Sequence, residues 1–138
     1  MIRQSMQVAV TLVLALCVGA CASHAGLSCQ PGERLAVIDS LYFGTAMPQG
    51  VVTPEQWREF VERVVTPRFP QGLTSWEATG QWQAAPGAVV RESTHVLQIA
   101  HADTRESETA IVEIIGSYKS QFRQEAVLRV RAIGCTSF

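Results

Sequence analysis

The sequence has no cationic surplus. Lysine and arginine total 11 against 12 acidic residues, a formal net charge of −1 that falls by one more unit without Arg3. Nucleic-acid binders ordinarily carry a basic excess on one face, so that partner class is excluded. No Gly-x-Ser-x-Gly occurs, which removes the nucleophile elbow, and no glycine cluster runs into Lys and Ser or Thr as a phosphate loop does. His24, His95 and His101 have neither the i, i+4 helical spacing nor the Cys-rich setting of a zinc site, so no metal and no cofactor is expected. Internal repeats and low-complexity runs are absent. The apolar run Val8 to Ala20 is shorter than the about 20 residues that span a bilayer.

That run is nonetheless a targeting signal. It follows a short leader holding Arg3, passes through Leu12, Val13, Leu14 and Leu16, and ends in Val18-Gly19-Ala20-Cys21. The last four residues resemble the lipobox of bacterial lipoproteins. The resemblance implies a signal peptide over 1–20, cleavage before Cys21, and a Cys21 thiol carrying diacylglycerol, with palmitate-type acylation of the new terminus. Ordinary secretion is the alternative. Each buried CH₂ contributes about 0.8 kcal/mol, so two or three acyl chains anchor the protein firmly to a membrane. Ala22 and Ser23 follow Cys21, where an aspartate resembles an inner-membrane retention signal. The expected location is therefore the bacterial cell envelope, lipid-anchored and facing the periplasm, with the outer membrane favoured.

Residues 21–34 are small and polar and read as a tether, leaving 35–138 as a single domain. Cys17 departs with the leader and Cys21 carries lipid, so Cys29 and Cys135 remain. An even pair in an exported chain reads as a disulfide; two unrelated thiols are the alternative. A bridge between them requires the ends of the domain to be neighbours.

Leu35 to Gly44 reads as a strand closed by the Met47-Pro48-Gln49-Gly50 turn. Thr53-Pro54-Glu55-Gln56 is a capping box with proline at the first helical position. Trp57, Phe60, Val61, Val64 and Val65 then form an apolar stripe up to the stop before Pro67. Leu73 to Trp82 and Val89 to Ala100 read as a hairpin. Asp103-Thr104-Arg105-Glu106 offers a second capping box ahead of the stripe Ile111, Ile114, Ile115, Tyr118 and Phe122. Glu125 to Ile133 closes as a strand. The order β-α-β-β-α-β predicts a ferredoxin-like α+β fold: a four-stranded antiparallel sheet with two helices on one face. Its first and last strands are neighbours, as the cysteine pair requires.

Period-two alternation then divides the faces. Val37, Leu41, Phe43, Leu97, Ile99, Leu128 and Val130 are expected under the helices. Ser40, Tyr42, Glu92, Thr94, Gln98, Arg129 and Arg131 are expected on the open face, with Glu92 set to pair with Arg129 or Arg131. Such a face is either solvated or a contact surface, and Tyr, Trp and Arg are the usual anchors of contact surfaces. Tyr42, Trp76, Trp82, Glu92 and Arg129 are thus binding candidates. Arg68 joins them, because Pro67 and Pro70 fix the backbone around it. An acid/base pair of His95 with Glu77 or Glu92 is the remaining catalytic arrangement.

Several segments resemble one family. Ser40-Leu41-Tyr42-Phe43-Gly44, Trp57-Arg58-Glu59-Phe60, Val65 through Thr74, Gly80-Gln81-Trp82, Arg91-Glu92-Ser93 and Gln124 through Arg129 resemble the bacterial domain-of-unknown-function family 3574. Ala126 stands where the family pattern has a serine. The resemblance spans about Asp39 to Arg131 and implies an exported bacterial protein of one domain, with no mechanism attached. Two function classes follow. The chain is expected to be a module at the envelope that binds a small ligand, an envelope protein or a second copy of itself. The alternative is a small enzyme working from the open face through Arg68, Tyr42 or Glu92.

Overall fold

A computed structural model describes residues 28–137. The expected signal peptide, Cys21 and most of the expected tether lie outside the described residues. Among the described residues no helix is long and apolar enough to cross a membrane.

Among the described residues six strands and two helices follow in order: β1 (Arg34–Gly44), β2 (Ala46–Met47), β3 (Gly50–Val51), α1 (Pro54–Phe60), β4 (Thr74–Ala85), β5 (Ala88–His101), α2 (Arg105–Phe122) and β6 (Leu128–Thr136). The four long strands form one antiparallel sheet in the order β4-β5-β1-β6. Both helices supply the core that packs against one sheet face, so the expected ferredoxin-like arrangement is what the chain adopts. β2 and β3 form a small separate hairpin at the predicted Pro48–Gly50 turn, where Gly50 has φ 129°.

Local chemistry explains α1. Gln56 N–H donates to Thr53 Oγ1 at 3.2 Å and Thr53 N–H donates to Gln56 Oε1 at 2.9 Å, completing the capping box. The helix widens into a π turn over Val61–Val65, closed by Thr66 N–H on the Val61 carbonyl at 2.8 Å, and stops before Pro67. Its stripe meets Leu41, Phe43, Leu97 and Ile99 of the sheet and Ile111, Ile114, Tyr118 and Phe122 of α2. Phe43 and Tyr118 pack edge to face with centroids 4.6 Å apart. Each such side chain contributes about 1.5–3 kcal/mol by leaving water.

At the far end of β1, Leu35 pairs with Cys135, and the Cys29 and Cys135 sulfurs lie at bonding distance with Cα atoms 5.5 Å apart. The bond joins the segment ahead of β1 to the last strand.

Four expectations are corrected. The last strand begins at Leu128, not Glu125, because Arg123 turns into the left-handed region at φ 52° and Gln124 N–H returns to the Lys119 carbonyl. Its phase is also reversed: Leu41 pairs with Arg129 and Asp39 with Arg131, so both arginines lie on the helix-covered side, while Leu128 and Val130 take the open side. The reason is Asp39, which is fully buried among the inward positions of β1 and draws the arginines under α2. This placement also separates Glu92 from Arg129 and Arg131, since β1 runs between their strands. Finally, α2 is capped by Thr104, whose Oγ1 accepts from Ser107 N–H at 3.2 Å, while Asp103 instead accepts from Arg131.

Candidate functional site

The open face can be read row by row, since directly opposed residues of an antiparallel sheet point the same way. Trp76, Val96, Tyr42 and Leu128 form one row across all four strands. Ala78, Thr94 and Gly44 form the next, followed by Gly80 with Glu92 and Trp82 with Val90. At this end of the sheet lies a cavity of about 550 Å³ whose walls include Tyr42, Trp82, Glu92, Met47 and Gln124. That volume is in the range of small-molecule sites.

Glu92 is the polar centre of the cavity. Its Oε1 accepts from Trp82 Nε1–H at 3.2 Å and its Oε2 accepts from Ala46 N–H at 3.1 Å. Gly44 makes this position available, because a Cβ there would stand 2.9 Å from both carboxylate oxygens. Gly80 plays the same part for Thr94, whose Oγ1 would lie 2.5 Å from an added Cβ. Both glycines are therefore close-approach positions, which the runs Ser40 to Gly44 and Gly80-Gln81-Trp82 each contain.

The surrounding frame is pinned from below and from the side. Tyr118 O–H donates to the Gly44 carbonyl at 2.9 Å, fixing the end of β1. Burial pushes the Tyr118 phenol up, and the negative charge of Glu92 adds to the rise, so this hydroxyl stays a donor. Gln124 Nε2–H donates to the Ala46 carbonyl at 2.6 Å, tying the α2–β6 connection to the β2–β3 hairpin. Two loops and the sheet thus enclose one volume.

Of the sequence candidates, Tyr42, Trp82 and Glu92 come together at this cavity, and Trp76 is next to it in the row of Tyr42. Arg68 and Arg129 do not. Arg68 donates to Glu113 at 3.1 Å and to the Val64 carbonyl at 2.7 Å, so the proline-framed loop holds its guanidinium against the helices. Gln124 and the β2–β3 hairpin were not singled out by the sequence, since they reach the cavity only through tertiary folding. The Met-Pro-Gln-Gly turn was the one local signal of the hairpin.

Arg129 belongs to a second cluster, beneath α2. Its guanidinium donates to both oxygens of Asp39 at 2.7 and 2.8 Å and to both oxygens of Glu108 at 2.6 and 2.7 Å. Burial alone raises the Asp39 carboxyl, but hydrogen bonds from Arg129 and His101 outweigh it and hold the carboxyl below its ordinary value. The Arg129 hydrogen bonds likewise lower Glu108, and the two carboxylates raise Arg129. His101 faces the Ala102 carbonyl through Nδ1 at 2.8 Å and Asp39 through Nε2 at 2.9 Å.

His95 is buried and its ring stacks on Trp57 at 4.5 Å, while Nε2 has no partner among the described residues. Burial lowers its pKa, opposed in part by Glu77, the residue opposite it on β4. Glu92 points to the other face, so an acid/base pair of His95 with Glu92 is not formed. Cys29, Glu33 and Cys135 bring three donor atoms within 4.8 Å of one another, but with the sulfurs joined this is a cystine beside a carboxylate.

Comparison with known proteins adds the fold's kinship. No curated protein matches the chain. A phage SAM lyase in complex with S-methyl-5'-thioadenosine is similar at 12% identity and a TM-score of 0.56, with 81% of this chain and 95% of that one covered. The same lyase in its apo state gives 14% identity and a TM-score of 0.53, covering 83% and 97%. CutA from Synechococcus elongatus PCC7942, complexed with a Bis-Tris molecule, is similar at 12% identity and a TM-score of 0.47, covering 76% and 87%. At these identities the likeness concerns the fold alone. A family model described as a protein of unknown function, DUF3574, matches residues 39–138, and the chain belongs to that family.

Proposed function

We propose that this protein is a lipid-anchored module of the bacterial envelope that binds a small ligand in the cavity at the end of its open sheet face. The observation that carries the reading is the Glu92 carboxylate, held in place by Trp82 Nε1–H and Ala46 N–H within a largely apolar enclosure. A fixed carboxylate among Tyr42, Trp82 and Leu128 suits a ligand with a flat apolar part and a hydrogen-bond-donating or cationic group. The similar phage lyase holds S-methyl-5'-thioadenosine, which has a flat ring and donor hydroxyls, and that compound is the natural first probe.

Calorimetric titration of the purified chain with S-methyl-5'-thioadenosine and related nucleosides tests the reading. Binding that Glu92→Gln weakens at least tenfold, and Trp82→Ala abolishes, supports it. Binding indifferent to both substitutions removes the cavity from consideration. Catalysis from the open face retains Tyr42 and Glu92 but loses Arg68, which lies against Glu113. Product formation from a bound probe, followed by mass spectrometry and lost in Tyr42→Phe or Glu92→Gln, would favour that alternative. The anchor rests on Val18-Gly19-Ala20-Cys21. Incorporation of labelled palmitate that disappears in Cys21→Ser tests it, and the labelled protein should fractionate with the outer membrane.

A further inference from the structure

The open sheet face is uncovered in the single chain, yet its composition is that of an interior. Further rows complete it: Thr74, Gln98, Ser40 and Val130, then Ala100, Ile38 and Ala132, then Ala36 with Gly134 and Arg34 with Thr136. Trp76, Trp82, Leu128 and Val130 are 43%, 50%, 61% and 47% exposed. Several strand charges lie elsewhere: Asp39, Arg129 and Arg131 point under the helices, as does Glu77 opposite His95. Among the rows of this face the charged residues are Glu92, whose carboxylate is bonded to Trp82 and Ala46 at one end, and Arg34, opposite Thr136 at the other end. An isolated soluble domain rarely leaves so continuous an apolar surface open.

We propose that a second copy of this chain covers the face, the two sheets packing about a two-fold axis. Two arguments select a second copy. The first is charge. In a two-fold interface each patch meets itself, so a face dominated by one sign would repel its partner. This face carries one charge of each sign, Glu92 towards one end and Arg34 at the other, so self-association brings no like charges together across its centre, and Ser40, Thr74 and Gln98 offer both donors and acceptors.

The second is area. Four strands at about 4.8 Å spacing, with lengths near 25 Å, make a plane of roughly 480 Å² per copy. Two such planes approach 1,000 Å², and the relief of two tryptophans and several branched side chains adds accessible area above the plane. That reaches the threshold of about 1,000 Å² for a specific interface. Packed sheets lie about 10 Å apart, a gap that Trp76, Leu128 and Val130 from both copies are large enough to fill.

The test uses the full chain extracted in detergent. Val130→Cys places a thiol on the face, on its edge strand β6, and Val112→Cys places one on α2, where Val112 is 57% exposed and the face is not involved. A short bismaleimide should link Val130→Cys into dimers at least tenfold more efficiently than Val112→Cys, and sedimentation equilibrium of the unmodified chain should give the mass of two copies. Val130→Glu should halve that mass while retaining the circular dichroism of the parent. A monomeric parent chain, or equal linkage at both cysteines, overturns the proposal. So does a dimer that survives both Val130→Glu and Trp76→Glu with native circular dichroism. None of these readouts depends on the ligand of the cavity.

Discussion

The carboxylate of Asp39 has no exposed surface and receives two hydrogen bonds from the Arg129 guanidinium, at 2.7 and 2.8 Å. Removing one partner leaves the other buried without its counter-charge, which typically costs about 3–5 kcal/mol. Asp39→Ala and Arg129→Met should each destabilise the chain by about that much in urea unfolding. The double variant Asp39→Leu with Arg129→Met should recover a large part of the loss, because an apolar pair leaves neither charge stranded. A double variant as unstable as the sum of the singles would mean that the pair is not coupled.

The same region sets the response to acid. Asp39 and Glu108 have carboxyls lowered in the folded protein, so each contributes stability that is present above its ordinary value, 3.8 and 4.5, and is lost as pH falls through the lower folded value. His95 acts at a higher pH. Burial lowers it from 6.5, so below that value the unfolded chain takes up a proton that the folded chain refuses, and stability declines as pH falls. Phenylalanine in its place keeps a ring against Trp57 and has no nitrogen to titrate or to leave unpaired. His95→Phe should therefore gain stability relative to the parent at pH 5 compared with pH 8. An equal difference at both pH values would show that His95 does not carry this dependence.

The helix α1 was legible because its signals are local. Thr53, Pro54 and Gln56 lie within one turn, and their hydrogen bonds require nothing from the rest of the chain. The phase of β6 was not, since Leu128-Arg129-Val130-Arg131 alternates equally well either way, and only residues from other elements decide it. The sequence did contain one clue. Asp39 falls in step with Val37, Leu41 and Phe43, and an acid on an inward-facing phase requires a buried cation. Arg68 shows the converse: its two prolines correctly mark a fixed arginine, but the partner, Glu113, is 45 positions away. For the cavity, Tyr42, Trp82 and Glu92 could be read from strand alternation, whereas Gln124 and the β2–β3 hairpin arrive through the path of the loops.

The Cys29–Cys135 bond closes a loop of 106 residue steps. Chain-entropy arguments give such a cross-link an upper contribution of about 4–5 kcal/mol through the unfolded state. Cys135→Ala should lower the midpoint of denaturant unfolding accordingly. It should also speed amide exchange at the Leu35 end of β1, which pairs with Cys135. Reduction of the parent chain should reproduce both effects. Unchanged stability after verified reduction would indicate that the pairing of β1 with β6 holds this end of the sheet unaided.

Gly44 separates ligand binding from folding most cleanly. A Cβ at this position would stand 2.9 Å from both Glu92 oxygens, and those atoms end a side chain that can rotate away. Backbone strain is small, since Gly44 is an ordinary strand residue and is absent from the positive-φ glycines. Gly44→Ala should thus cost little stability, about 1 kcal/mol or less. The displaced carboxylate, however, can no longer keep its bonds to Trp82 Nε1–H and Ala46 N–H together. Affinity for any ligand that uses Glu92 should fall at least tenfold, and indole fluorescence from Trp82 should change in the unliganded chain. Gly80→Ala offers the contrast, because a Cβ there meets Thr94 Oγ1 at 2.5 Å in a buried position with less room to yield. It should destabilise the sheet more than Gly44→Ala does. If Gly44→Ala binds the ligand as tightly as the parent, Glu92 is not the group that holds it.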